Sequence, residues 1–334
     1  MKRTLCTFFT LVLYIFVAAA TAQTQIVWPP DHQVLESEFA TVVVDPDKSA
    51  TGVEVFVNGK SAAKKPVKQR PVCIPVVLKE GNNSLEIVTY TAQREESRST
   101  LSLFRRTLLE KRFRYPPDPF QKRFFHNDGN EKLCGSCHDM SVNEKPGVAF
   151  EEVNQSNCYA CHKGFMDRRY LHAPTSNWLC ATTCHDGKAG NFNQKFAGKS
   201  RFLHPDPIIG KCFECHEDFE HKFKDGKYHH EPVDDGRCHK CHDPHGSGDK
   251  RFLRKEPWEL CTTCHVEKKT QPHVVTTFSG RGHPTRGKRI PKNPDEELSC
   301  ISCHNPHVSN NGFMLRDYMG RGLILWCNRC HEKN

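Results

Sequence analysis

Residues 238–265 read CHKCHDPHGSGDKRFLRKEPWELCTTCH. The pattern C-x-x-C-H occurs there twice, from Cys238 to His242 and from Cys261 to His265, and His245 follows the first copy closely. Residues i, i+3 and i+4 of a helical turn share one face. Each copy therefore offers two thiols and an imidazole side by side. Outward from this stretch the pattern recurs. Cys134, Cys137 and His138 form CGSCH, Cys158, Cys161 and His162 form CYACH, and Cys212, Cys215 and His216 form CFECH. Downstream lie Cys300, Cys303 and His304 (CISCH), then Cys327, Cys330 and His331 (CNRCH). A variant with one extra residue, CATTCH, holds Cys180, Cys184 and His185. With Cys238, Cys241, His242, Cys261, Cys264 and His265 the chain has eight copies, numbered here 1 to 8 in chain order. They use all of its 18 cysteines except Cys6 and Cys73.

Many cysteines in an exported chain ordinarily form a disulfide framework. Such a framework has no reason to place His after every second cysteine. Zinc can use C-x-x-C pairs, but contiguous Cys and His ligands fit poorly on one tetrahedral ion. C-x-x-C-H is the attachment signature of c-type haem. The two thiols form thioethers with the haem vinyl groups and the imidazole becomes the proximal iron ligand. The repeat predicts eight c-type haems, each with its iron, on proximal ligands His138, His162, His185, His216, His242, His265, His304 and His331. In the third copy His185 is rotated off the face of its cysteines, which predicts a looped-out residue.

The chain has 20 histidines, enough for a second axial ligand on every iron. His172 (HAP), His204 (HPD), His230 (HEP) and His283 (HPT) precede motifs in a shared phrase, and His126 precedes the first without the proline. His245 (CHDPHG) and His307 (CHNPHV) follow motifs in matching phrases. These seven are the candidate distal ligands, with the eighth drawn from His221, His229, His239 or His273. Met140, just after His138, is an alternative axial ligand. No residue is assigned a catalytic role.

The N-terminal part reads differently. Lys2 and Arg3, an apolar run from Phe8 to Ala20 and Ala20-Thr21-Ala22 make residues 1–22 a cleaved signal peptide, and no other segment has the length to span a bilayer. In residues 23–104 the runs 40–44 (ATVVV), 52–57 (GVEVFV), 73–78 (CIPVVL) and 84–90 (SLEIVTY) are β-branched and divided by the turn signals DPDKS, NGK and EGNN. They predict an antiparallel β-sandwich, with Cys73 a buried free thiol. Residues 105–125 form a basic, aromatic linker, expected to pack on the first haems. Residues 126–334 are poor in apolar periodicity and rich in turn residues, which predicts short helices and long loops wrapped on haem in place of a side-chain core. Formal charge is +9. A basic chain invites a nucleic-acid reading, but each haem adds two propionates for the excess Lys and Arg to pair with, so no nucleic acid is expected.

The phrases HHEPVDDGRCHKCHDPHGS and LCTTCH resemble the doubled C-x-x-C-H repeat of multihaem c-type cytochromes. Four doublets span 134–162, 180–216, 238–265 and 300–331, and the resemblance covers roughly residues 120–334. VEVFVNGK followed by LKEGNNSLEIVTY resembles small bacterial Ig-like domains. The resemblance implies a non-enzymatic electron-transfer protein in a periplasmic, outer-membrane-associated or extracellular setting. Its partners would be other cytochromes or an outer-membrane porin conduit, with a metal oxide or chelate as terminal acceptor. Two alternatives remain: a multihaem reductase of nitrogen or sulfur oxyanions with one open haem, and a subunit of an extracellular cytochrome filament.

Overall fold

The computed structural model describes residues 24–92, 95–186, 202–271, 273, 282–316 and 327–331. Residues 1–22, expected to be a signal peptide, lie outside them. Eight strands come first: β1 (Gln25–Trp28), β2 (Gln33–Leu35), β3 (Phe39–Asp45), β4 (Gly52–Val57), β5 (Lys60–Pro66), β6 (Val72–Val77), β7 (Gly81–Tyr90) and β8 (Glu95–Arg105). They form a three-stranded sheet in the order β1-β3-β6 and a five-stranded sheet in the order β2-β8-β7-β4-β5. Side chains alternate between the two faces of a strand. Val42 and Val44 of β3 and Val72, Ile74 and Val76 of β6 therefore point one way. They meet Val53, Val55, Leu85, Ile87, Leu101 and Leu103 of the larger sheet in one enclosed cluster. The N-terminal region is thus two β-sheets closed on a shared apolar core.

Strand pairing follows local chemistry. Asn58 and Gly59 have φ of 52° and 79°, the paired left-handed residues of a two-residue hairpin turn, and they join β4 to β5 with Val57 opposite Lys60. The pairing of β2 with β8 is parallel, a departure from the expected all-antiparallel arrangement. Residues 33–35 and 103–105 are brought together from opposite ends of the region.

The linker packs back on the β-region, while its last residue, Phe125, meets His126 edge-on with ring centres 5.2 Å apart. Phe113 lies against Gly81, where a Cβ would fall 2.6 Å from its ring. Phe120 meets His32 and Phe104 edge-on or tilted, and Gln121 N donates to His32 O at 2.9 Å. Its basic groups have acidic partners within the chain, since Arg106 and Lys122 both bind Glu36, at 2.8 and 3.0 Å.

Beyond residue 126 the described residues hold short helices and short strand pairs. β9 (Tyr170–Leu171) pairs with β11 (Gly246–Ser247), and β10 (Tyr228–His229) with β14 (Val308–Ser309). Between them β12 (Arg289–Ile290) pairs with β13 (Asn293–Glu297). Among the described residues no helix is long and apolar enough to cross a membrane.

Candidate haem sites

Every motif closes the same turn. The His backbone N–H donates to the carbonyl of the first cysteine, at 2.9 Å in His138–Cys134, 3.0 Å in His162–Cys158 and 2.9 Å in His331–Cys327, with the others alike. That is the i→i−4 bond of a helical turn, and it sets two thiols and the imidazole on one side. The third motif has no looped-out residue. His185 N reaches Cys180 O at 2.8 Å, one residue further than in the other copies. The turn is widened in the manner of a π-bulge, with Cys184 N also reaching Cys180 O at 3.1 Å, and so accommodates the extra residue. Glu144 holds this turn from outside. It is 8% exposed, and its carboxylate accepts from Ala181 N and Thr182 N, each at 2.9 Å.

The imidazoles are paired across the region. His162 faces His126 with ring centres 6.1 Å apart, and His216 faces His172 at 6.3 Å. His265 faces His230 at 6.1 Å, His242 faces His307 at 5.9 Å, His304 faces His273 at 6.1 Å and His331 faces His283 at 6.3 Å. His185 has two neighbours, His245 at 6.1 Å and nearly parallel (9°), and His204 at 6.0 Å and nearly perpendicular (85°). Two imidazoles on opposite faces of one iron, each with a bond of about 2 Å and about 1.1 Å from nitrogen to ring centre, stand roughly 6.2 Å apart. The observed spacings match that span, so the donor set fits haem iron.

Hydrogen bonds orient the rings. Nδ1 donates to a backbone carbonyl in His172 (Pro244, 2.9 Å), His185 (Phe202, 3.1 Å), His242 (Arg251, 2.8 Å), His304 (Phe313, 3.0 Å) and His283 (Pro284, 2.8 Å). In a neutral imidazole this places the lone pair on Nε2, the tautomer an iron ligand requires. Burial, with neighbouring imidazoles, pushes the pKa of His162 and of His307 down to about 4. These rings are neutral at physiological pH, the state that binds metal.

The remaining candidates sit differently. His229 engages both nitrogens, Nδ1 with Asp234 at 3.2 Å and Nε2 with the Gly226 carbonyl at 3.1 Å. His221 is exposed on the helix Glu217–Asp225. His239 lies beside His204, ring centres 6.0 Å apart. Among the described residues no second imidazole is found at this spacing from His138.

A register runs through the pairs. The His ahead of each doublet faces the second motif of that doublet: His126 with motif 2, His172 with motif 4, His230 with motif 6 and His283 with motif 8. The His after motifs 5 and 7 faces back two motifs, His245 to motif 3 and His307 to motif 5. The short strand pairs build this crossing. β9 with β11 brings His172 N to His245 O at 3.3 Å, and β10 with β14 brings His230 N to His307 O at 3.2 Å. The first cysteines meet across doublet boundaries as well. Cys158 lies beside Cys180, Cys212 beside Cys238 and Cys261 beside Cys300. Within the last two pairs, the neighbouring thiol pushes the pKa of Cys238 and of Cys300 down.

Sequence reasoning passed over several residues that position the rings. Glu131 faces His126 Nδ1 at 3.1 Å. Asp243 accepts from both the backbone N (3.2 Å) and Nδ1 (3.1 Å) of His245. Burial alone would raise the Asp243 pKa, but the bond from His245 and the charges of Arg254 and Arg168 hold it well below the usual carboxylate range. The D-P-H phrase was the available signal, since an acidic residue two before a ligand can fold back on it. Cys73 is half-buried and free. It lies on β6, out of the alternation that fills the core, and burial pushes its thiol pKa up.

The chain carries doubled C-x-x-C-H motifs and is similar to multihaem c-type cytochromes. The family model for the doubled CXXCH motif matches residues 230–270 and 293–334. Over 205 residues the chain is 26% identical to the multiheme cytochrome MtrA of Shewanella baltica (strain OS185), covering 55% of this chain and 56% of that protein. The chain thus spans about half the length of the curated relative it matches. Among solved structures, fibronectin(III)-like modules of Clostridium thermocellum CbhA align at 13% identity over 25% of this chain and 95% of theirs, with a TM-score of 0.22. A lytic polysaccharide monooxygenase of Jonesia denitrificans aligns at 10% identity over 23% of this chain and 58% of its own, TM-score 0.19. At such scores neither informs on fold or function.

Proposed function

We propose that the protein transfers electrons along eight covalently attached c-type haems, most of them held between two histidines, as a periplasmic or outer-membrane-associated element of extracellular respiration. The observation that carries this reading is the repeated ring spacing of 5.9–6.3 Å between motif and non-motif histidines. Bound haem supplies reversible one-electron chemistry at iron. The chain supplies the rest. Paired cysteines anchor each group, and His162, His216, His242, His265, His304 and His331 take the proximal side. His126, His172, His307, His230, His273 and His283 close the opposite side in the same pairing. For His185 the near-parallel His245, which keeps the register of the repeat, is the distal ligand and His204 is not. His229 serves in hydrogen bonding. Two strong ligands on an iron leave substrates no coordination position, which favours outer-sphere exchange over reductase chemistry. The β-region, read as an Ig-like domain, docks and spaces. Other cytochromes or a porin conduit would be the partners.

Quantifying haem against protein by pyridine haemochrome should give eight per chain. Stopped-flow oxidation of the reduced protein should be fast with ferric chelates and slow with nitrite or hydroxylamine. Steady nitrite turnover, with stoichiometric carbon monoxide binding to one haem, would overturn the electron-carrier reading.

A further inference from the structure

The segments after motifs 5 and 7 are structural copies of one another. His242 Nδ1 donates to Arg251 O at 2.8 Å and His304 Nδ1 to Phe313 O at 3.0 Å. Arg254 N reaches Cys241 O at 3.0 Å and Arg316 N reaches Cys303 O at 3.1 Å. Phe252 and Met314 take matching left-handed φ values of 58° and 55°. Backbone N–H groups of His245 and His307 donate to the side chain two residues earlier, both at 3.2 Å. At that position the copies differ in charge: Asp243 in one, Asn305 in the other.

We propose that Asp243 is a positioning residue that lowers the reduction potential of the haem ligated by His245 relative to the haem ligated by His307. The proposal rests on the bis-histidine reading above and deepens it. Asp243 is 7% exposed, so little water screens its charge. Its Oδ1 accepts from His245 Nδ1 at 3.1 Å. A carboxylate at that nitrogen makes an imidazole more basic and a stronger donor, and stronger donation favours ferric over ferrous iron. Oδ2 is held by Arg168 at 3.1 Å and by Arg254 at 3.6 Å. These contacts aim Oδ1 at the ring and keep it from rotating away. Arg168 is itself bound at 3.0 Å by Glu38, just ahead of β3, so the β-region reaches one iron through a three-residue chain. The redox step is an exchange of one electron with a neighbouring haem, and Asp243 keeps its charge throughout.

The test compares the holoprotein with Asp243→Asn, Asn305→Asp and His245→Ala by potentiometric titration followed by electron paramagnetic resonance, where difference spectra cancel the unaffected haems. Asp243→Asn copies the side chain that the sister segment already accommodates. It should shift one haem's ferric-to-ferrous equilibrium toward ferrous by roughly tenfold, about 59 mV for one electron, with that haem still low-spin. Asn305→Asp should shift a different haem by a similar factor in the opposite sense. A titration of Asp243→Asn superimposable on the parent, or shifted to lower potential, overturns the proposal. If Asp243→Asn does not assemble, Asn305→Asp decides alone, and no downward shift there overturns it. His245→Ala should convert one haem to high spin. If it stays fully low-spin, the ligand assignment fails, and that result is distinct from a null effect at Asp243.

Discussion

The β-region and the motif region solve the same problem with different materials. In the β-region, apolar residues at period two fill one cluster, and Val42, Val44, Val53, Val55, Ile74 and Leu103 are fully enclosed. In the motif region the buried apolar residues are scattered singly along the chain, as with Trp178, Ile208, Val233, Leu260 and Leu298. What recurs there is polar and aimed: ring pairs about 6 Å apart, carbonyls on Nδ1, and arginines on buried carboxylates. The first region can be stabilised by its own side chains, at about 1.5–3 kcal/mol for each large apolar group buried. The second is arranged around groups that its cysteines and histidines must bind. The difference teaches that low apolar content need not mean disorder when ligand chemistry takes the place of a core.

The strongest way to break this comparison is to withhold haem. Without c-type maturation, residues 126–334 should remain unfolded while the β-region still forms, read as dispersed amide resonances confined to residues 24–105. A motif region that disperses without haem would refute the contrast. Acid should also separate the two regions. Burial holds His162 and His307 near 4, against an ordinary value near 6.5. Between those values the folded state binds fewer protons than the unfolded chain. The stabilisation is complete above about pH 6.5 and is lost as pH falls toward 4. Low-spin signal should therefore decline before the β-region circular dichroism does, and the reverse order would count against it. Ile74→Ala should act only on the other side. It should cost about 3 kcal/mol of β-region stability in denaturant and leave the haem count at its parent value. The smallest effect should come from Glu38→Gln, which weakens the bridge to Arg168 at 3.0 Å. A loss of about 1.5–3 kcal/mol is expected, seen as the two regions unfolding at more widely separated midpoints. Unchanged midpoints would show that the bridge does not couple them.

Legibility in the sequence followed the range of the interactions. The runs 40–44, 52–57, 73–78 and 84–90 coincide closely with β3, β4, β6 and β7, because apolar residues turned to one face leave a β pattern in the sequence. β5 (KSAAKKP) is a lysine-bearing edge strand that turns little toward the core, and it left no such pattern. β8 hides its inward Leu101 and Leu103 among Ser, Arg and Thr. The linker reads as basic and aromatic, and Phe113, Phe120 and Phe125 find Gly81, Phe104 and Trp28, partners that no local pattern names. His273, held in reserve in the sequence reading, stands opposite His304. His204, ranked above it, shares His185 with His245.

By itself the sequence determined where two thiols and an imidazole come together. Two thiols and an imidazole within five residues are brought together by a single helical turn, and one hydrogen bond from His to the first cysteine completes it. Even the six-residue motif at Cys180–His185 obeys that local rule by widening its turn. The second ligand is a different matter. His307 reaches His242 from the next doublet, and His245 reaches His185 in the same way, through strand pairs of two residues each. The phrases around these histidines mark them as candidates, but a ring can find its partner only once the doublets have crossed. Which imidazole faces which was decided by the tertiary structure alone.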